Sequence, residues 1–159
     1  LQHAGASRAP VLSVYGGKIT TYRRLAEAAL EQIQQQLDCG GATWSADEPL
    51  PGGDIPQGDL GTFTARAQSR WPGLPAAWIA RLARLYGTRM AHILGAARTP
   101  QDLGRDFGAG LTQAEVRYLV SEEWARSAED IAWRRTRLGL RLAPSAVHDL
   151  QDAVAQLLR

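Results

Sequence analysis

The 159-residue chain is long enough to bury one sizeable core, and 45% hydrophobic with 21% charged residues is ordinary for a globular protein. A formal net charge of +2 leaves only weak bulk attraction for nucleic acid, and a single cysteine, Cys39, rules out an internal disulfide and argues against cysteine-based zinc sites. The apolar runs are too short and too broken by charge for a transmembrane helix, and residues 1–10 lack the charged-then-apolar layout of a signal peptide.

Val11-Leu12-Ser13-Val14-Tyr15 is rich in β-branched and aromatic residues and predicts a short strand, broken by Gly16-Gly17. From Thr20 to about Leu37, Tyr22, Leu25, Ala26, Ala29, Leu30, Ile33 and Leu37 recur at three- and four-residue steps. They predict one face of an amphipathic helix with Thr20 or Thr21 as its N-cap. A lone strand has no ladder partner in the rest of the sequence, so it is expected to belong to a sheet in a part of a longer protein. The absence of an initiator methionine agrees with that expectation.

Residues 39–59, rich in Gly, Pro and Asp, predict a connector between a first segment, 1–38, and a helical domain, 60–159. Within that domain the periodicity predicts helices over 60–71, 75–86 and 88–97. Trp78, Ile79, Leu82, Leu85 and Tyr86 share one side of the second. Thr112-Gln113-Ala114-Glu115 has the form of a capping box opening a helix to about Ala125, with Val116, Leu119, Val120 and Trp124 facing inward. Ser127-Ala128-Glu129-Asp130 repeats the device for a helix to about Leu138. Pro144 opens the last helix, lined by Val147, Leu150, Val154, Leu157 and Leu158. The predicted fold class is therefore mainly α, a helical bundle preceded by a strand, a Gly-Gly turn and a helix.

A glycine pair between strand and helix lets backbone approach a ligand closely, and the helix start offers free N–H groups to an anion or carbonyl oxygen. Lys18 adds positive charge there, and Thr20 and Thr21 add hydroxyls. Taken alone, the pattern suits a structural turn equally well.

The whole string Gly16-Gly17-Lys18-Ile19-Thr20-Thr21-Tyr22-Arg23, followed by Leu25-Ala26-Glu27, resembles the flavin-edge segment of FAD-dependent glycerol-3-phosphate dehydrogenases. Further stretches resemble the same family in order. They are Leu50-Pro51-Gly52-Gly53, Tyr86-Gly87-Thr88-Arg89, Glu115-Val116-Arg117-Tyr118, Glu123-Trp124-Ala125-Arg126, and Asp130-Ile131-Ala132-Trp133-Arg134-Arg135-Thr136-Arg137-Leu138-Gly139. The resemblance implies a C-terminal portion, with residues 1–38 the tail of an FAD-binding α/β domain. It implies a bacterial parent enzyme that oxidises sn-glycerol 3-phosphate to dihydroxyacetone phosphate with FAD and passes electrons to quinone, or to oxygen in related oxidases. Such a parent would be cytoplasmic, peripheral at the inner membrane face and commonly a homodimer.

By the same resemblance Gly16, Gly17, Lys18, Thr20 and Thr21 would line the flavin edge, and Lys18 would also face the substrate. Arg23 matches the motif but lies one turn into the helix, where a structural role is expected. No Gly-x-Gly-x-x-Gly after a strand is present, so the site for the FAD pyrophosphate is missing. The chain alone is therefore expected to bind no FAD and to be inactive, with no complete catalytic set.

Other residues are read more plainly. The basic run from Arg134 to Arg141 is expected to pair with Glu122, Glu123, Glu129 and Asp130, with anionic lipid or inter-domain contact second and nucleic acid last. His3, His92 and His148 lack metal-ligand spacing, so no metal is expected. The five tryptophans are expected in the core or at an interface. The competing function is a non-enzymatic helical interaction module that contacts a protein partner or an anionic membrane surface.

Overall fold

A computed structural model describes residues 10–37 and 39–159, and these are mainly helical. The chain divides into two compact units, residues 1–49 and 50–159, with the division inside the expected connector.

In the first unit, residues 11–15 form no ladder with any described residue; Val11 is 59% exposed and Tyr15 92%. Val11 carries a single bridge and residues 12–15 none, so among the described residues the expected strand is not formed; a strand needs a neighbour for its N–H and C=O groups. Gly16 and Gly17 turn the chain, and a 3-10 turn, Ile19–Thr21, runs directly into α1, Tyr22–Leu37. This moves the N-cap upstream to Lys18, which correct the expectation of Thr20 or Thr21; no side chain caps the turn. The apolar face of α1 is present but exposed, with Leu37 at 66%.

The second unit holds the core. Asp59 caps α2 (Leu60–Arg70), accepting from the Thr62 N–H at 3.0 Å and from its hydroxyl at 2.6 Å. Pro75 precedes α3 (Ala76–Tyr86). The helix expected over 88–97 is shorter, a 3-10 turn Gly87–Arg89 followed by α4, Met90–Leu94, closed by Gly95. A capping box at Thr99 and Asp102 opens the 3-10 turn Pro100–Leu103, which hydrophobic periodicity had not indicated. Then come α5 (Gln113–Glu122), a segment Asp130–Arg135 and α6 (Pro144–Leu157).

The core is built where these helices meet. Ile79, Met90, Leu111, Val116, Leu119, Ile131, Leu150 and Val154 are almost fully enclosed, each of the larger ones contributing about 1.5–3 kcal/mol by burial. Four residues expected inside are not: Trp124 is 78% exposed, Leu85 42%, Leu157 38% and Leu158 39%. Trp124 is out because α5 ends at Glu122, so the helical spacing that pointed it inward no longer applies. Leu157 is the last residue of α6 and Leu158 its C-cap. Among the tryptophans, expected in the core or at an interface, Trp71 is in the core, whereas Trp44, Trp124 and Trp133 are exposed and so are not core residues of this chain.

The segment Asp130–Arg135 is wound as a π-helix. The Thr136 N–H donates to Ile131 O at 3.0 Å, five residues back, and the Thr136 hydroxyl donates to the same oxygen at 2.7 Å. The wide turn closes early, and Arg137 takes a left-handed conformation with φ 56°. The helix expected to reach Leu138 therefore stops at Arg135. Among the described residues no helix is long and apolar enough to cross a membrane.

Candidate functional site

The residues expected at a flavin edge share one short turn. Gly16 has φ +80° and Gly17 φ +127°, conformations that L side chains rarely adopt. A side chain at Gly16 would meet nothing within 4 Å, so the requirement there is backbone shape, not space. Lys18 is extended (φ −116°, ψ 145°) at the mouth of the helix, and Lys18 and Thr20 are exposed.

Thr21 does something else. Its N–H and its hydroxyl both donate to Lys18 O, at 3.0 and 3.1 Å. Its side chain fixes the Lys18 carbonyl and the start of the helix. Arg23 is structural here too: it pairs with Glu27 at 2.8 Å. Glu27 also accepts from the Ser45 hydroxyl at 2.6 Å, and that bond foremost, with help from Arg23, lowers its pKa against partial desolvation. This acid thus joins the helix to the segment after Cys39, an exposed thiol.

The turn presents an ammonium, a hydroxyl and backbone shaped by two glycines, groups chemically suited to one edge of a planar group with carbonyl oxygens, and no general base is among them. Among the described residues no cluster of His, Cys, Asp and Glu could hold a metal ion; His3 lies outside the described residues.

The helical unit holds a buried polar constellation that sequence reasoning misassigned. Thr112 caps α5 as expected, its hydroxyl accepting from the Glu115 N–H at 3.4 Å. The Glu115 side chain does not return to Thr112. It is fully buried and takes Arg81 in a forked pair, Nη1 at 2.8 Å and Nη2 at 2.6 Å, plus the Tyr86 hydroxyl at 2.7 Å. Arg81 Nη2 also donates to Gly110 O at 2.7 Å. Burial works against the Arg81 charge, but the bonds and charge of Glu115 outweigh it and raise the pKa. Burial first, then the Glu115 charge, pushes the Tyr86 phenol far up, so it stays a donor. The pair ties α3 to α5, and its net contribution to stability is limited because desolvation offsets the attraction of enclosed charges. The only signal in sequence was an arginine on the same side of α3 as its apolar residues.

The basic run is ion-paired in part. Arg134 reaches Glu129 and Asp130, each at 2.8 Å, and Asp130 closes a complete reciprocal box with Ser127. Glu122 lies 4.0 Å from Arg89 in the turn after α3 and forms no ion pair with the run.

Residues 43–159 match the family described as the C-terminal domain of alpha-glycerophosphate oxidase. The chain is 44% identical over 156 residues to the aerobic glycerol-3-phosphate dehydrogenase of Escherichia coli (strain K12), covering 98% of this chain and 30% of that protein. It is 46% identical over 142 residues to a glycerol-3-phosphate dehydrogenase of Pseudomonas aeruginosa, covering 89% and 28%. It is 43% identical over 134 residues to the D-erythritol 1-phosphate dehydrogenase of Brucella abortus, covering 84% and 27%. The chain thus spans less than a third of the length of these relatives.

Proposed function

Because the chain belongs to the family of the alpha-glycerophosphate oxidase C-terminal domain, and its relatives are dehydrogenases, we propose that it serves an FAD-dependent oxidoreductase that oxidises sn-glycerol 3-phosphate to dihydroxyacetone phosphate and delivers electrons to quinone. The observation that carries this reading is the 44% identity that runs through both units, flavin-edge turn included, to an aerobic glycerol-3-phosphate dehydrogenase. The chain contributes one edge of the site and the helical domain, and is inactive alone.

FAD, when bound in the parent, supplies the hydride acceptor. Gly16 and Gly17 keep side chains away from the approach, and Thr21 holds the Lys18 carbonyl so that the helix start faces the same way. Lys18 places a positive charge where electron density rises during reduction, and its long stem also reaches toward a phosphate-bearing substrate. Thr20 offers a hydroxyl donor beside it.

A D-erythritol 1-phosphate dehydrogenase is about as similar to the chain as the glycerol-3-phosphate enzymes are, so overall identity does not choose between the two polyol phosphates. Peripheral attachment to the inner membrane face and homodimerisation belong to the same proposal.

In the full-length parent, Lys18→Ala should slow flavin reduction by glycerol 3-phosphate in stopped-flow experiments while leaving thermal stability nearly unchanged. Reduction at the unaltered rate would remove Lys18 from the site. Purified alone, the 159-residue chain should carry no flavin absorbance and reduce no dye; yellow protein would overturn that part.

A further inference from the structure

The helical unit contains a cleft of about 430 Å³ between α2, the start of α4 and the strip of chain at residues 54–59. The volume lies within the range of small-ligand pockets, about 300–1,000 Å³. Its floor is apolar, made by Phe63, Ala67, Trp71 and Met90. Arg66 and Arg70, one turn apart on α2, stand on its rim.

The charges around it are unequally occupied. The two acids on its wall already have partners: Asp54 accepts from the Thr88 hydroxyl, and Asp59 takes both the N–H and the hydroxyl of Thr62 as the cap of α2. The Thr62 bonds, with a smaller contribution from Arg66, hold Asp59 below its usual range. By contrast, neither Arg66 nor Arg70 forms an ion pair or donates a side-chain hydrogen bond to any described residue. Arg70 instead lies over the Trp71 ring at 4.5 Å, which orients its guanidinium along the rim. Two guanidinium forks with free donors above an aromatic floor match an anion carried on an apolar body.

The wall itself is strained. Gln57 sits in the left-handed region at φ 57° and ψ 11° without being glycine or asparagine. Such a conformation is unfavourable for an L side chain and persists where the surroundings demand it. Here it bends residues 56–58 around the opening.

We propose that this cleft binds a small amphipathic monoester or acid, an apolar ring or short chain bearing one carboxylate or phosphate, with Arg66 and Arg70 on the anion and Phe63, Trp71 and Met90 on the body. The site lies outside the proposed flavin edge and does not depend on that reading.

Met90 is the one methionine in the chain and lines the cleft, so a methyl-labelled sample gives a single reporter resonance. The 159-residue chain would be titrated with naphthalene-1-acetate, 1-naphthyl phosphate and the neutral naphthalene-1-acetamide. Saturable movement of the Met90 methyl is expected with at least one anion, and the better anion names the head group. The amide, and the anions with Arg66→Glu/Arg70→Glu, should bind at least about tenfold more weakly. Both arginines are exposed, so the fold should survive; Arg66→Gln/Arg70→Gln provides a milder pair, checked by unchanged amide spectra away from the cleft. An unmoved Met90 resonance, equal binding of the amide, or binding indifferent to both arginine pairs would overturn the proposal.

Discussion

The carbonyl of Gly52 accepts the Thr88 N–H at 3.1 Å, and the Gly87 backbone packs so closely on that same carbonyl that a Cβ on Gly87 would overlap it. Two stretches that looked like separate family motifs, one in the connector and one between helices, are thus halves of one contact. It anchors the entrance of the helical unit to the exit of α3. Gly87 also has φ 53° and ψ −133°, a conformation essentially reserved for glycine.

Gly95 provides the control, because its backbone is nearly the same (φ 50°, ψ −125°) yet a Cβ there meets nothing within 4 Å. Gly95→Ala should therefore cost only backbone strain, about 1–3 kcal/mol. Gly87→Ala should cost distinctly more in urea denaturation, because the Gly52 carbonyl must move and its bond to Thr88 with it. Equal losses in the two variants would dismiss the close approach as a stability determinant.

The Glu115 constellation makes a different prediction. Tyr86→Phe removes one of three donors to a buried carboxylate and should cost about 1.5–3 kcal/mol. Arg81→Met strands Glu115 without its ion pair and should cost about 3–5 kcal/mol. Arg81→Met combined with Glu115→Leu should recover much of that loss, since a well-packed apolar pair of similar size often replaces an enclosed ion pair without penalty. The double variant is informative by its sign: a loss close to the sum of the single ones would mean that the two side chains do not act as a pair.

The helices were legible because their apolar faces repeat every three or four residues, and burial follows that period in α3, α5 and α6. What was not legible came from competition that periodicity ignores. Glu115 stands three residues after a threonine, as a capping acid should, but a partner 34 residues away takes its carboxylate. The Ser127 box opens a helix as expected, yet nothing in its sequence announces π winding or the stop at Arg135. At the Gly16-Gly17 turn the glycine pair was readable, whereas the commitment of the Thr21 hydroxyl to Lys18 O depends on where the helix starts.

Acid should loosen the helical unit through its caps. Asp102 accepts the Arg98 and Thr99 N–H groups, each at 2.8 Å, and Asp130 accepts those of Arg126 and Ser127 at 3.0 and 3.1 Å. The two backbone bonds lead the causes that lower the Asp102 pKa; for Asp130 the Arg126 N–H comes first and a side-chain bond with Ser127 second. A carboxyl lowered on folding binds fewer protons than it does unfolded, so stability rises with pH through that interval. The contribution is complete above the unfolded value near about 4 and disappears as pH falls through the lower folded value. Urea midpoints measured from pH 7 to pH 2.5 should drop at the acid end. Asp102→Asn/Asp130→Asn keeps an oxygen acceptor at each cap without the titration, and should flatten that drop; an unchanged acid slope would assign the sensitivity to other carboxylates.

Trp124 occupies the position just beyond the end of α5 with φ 57°, where glycine is usual and a bulky residue is rare. It is also 78% exposed, so burial repays little of that strain. Such a residue should be replaceable with profit to the fold. Trp124→Gly is expected to raise stability by about 1 kcal/mol, the relief of a left-handed conformation outweighing the extra freedom of glycine in the unfolded chain. Trp124→Ala, which keeps the Cβ and hence the strain, should gain nothing. If glycine and alanine shift the urea midpoint alike, the strain is not in the backbone and the indole must be held by contacts of its own. Stabilisation by glycine alone would mean that tryptophan is carried here against the interest of the isolated fold, as expected of a side chain used for contact with another surface.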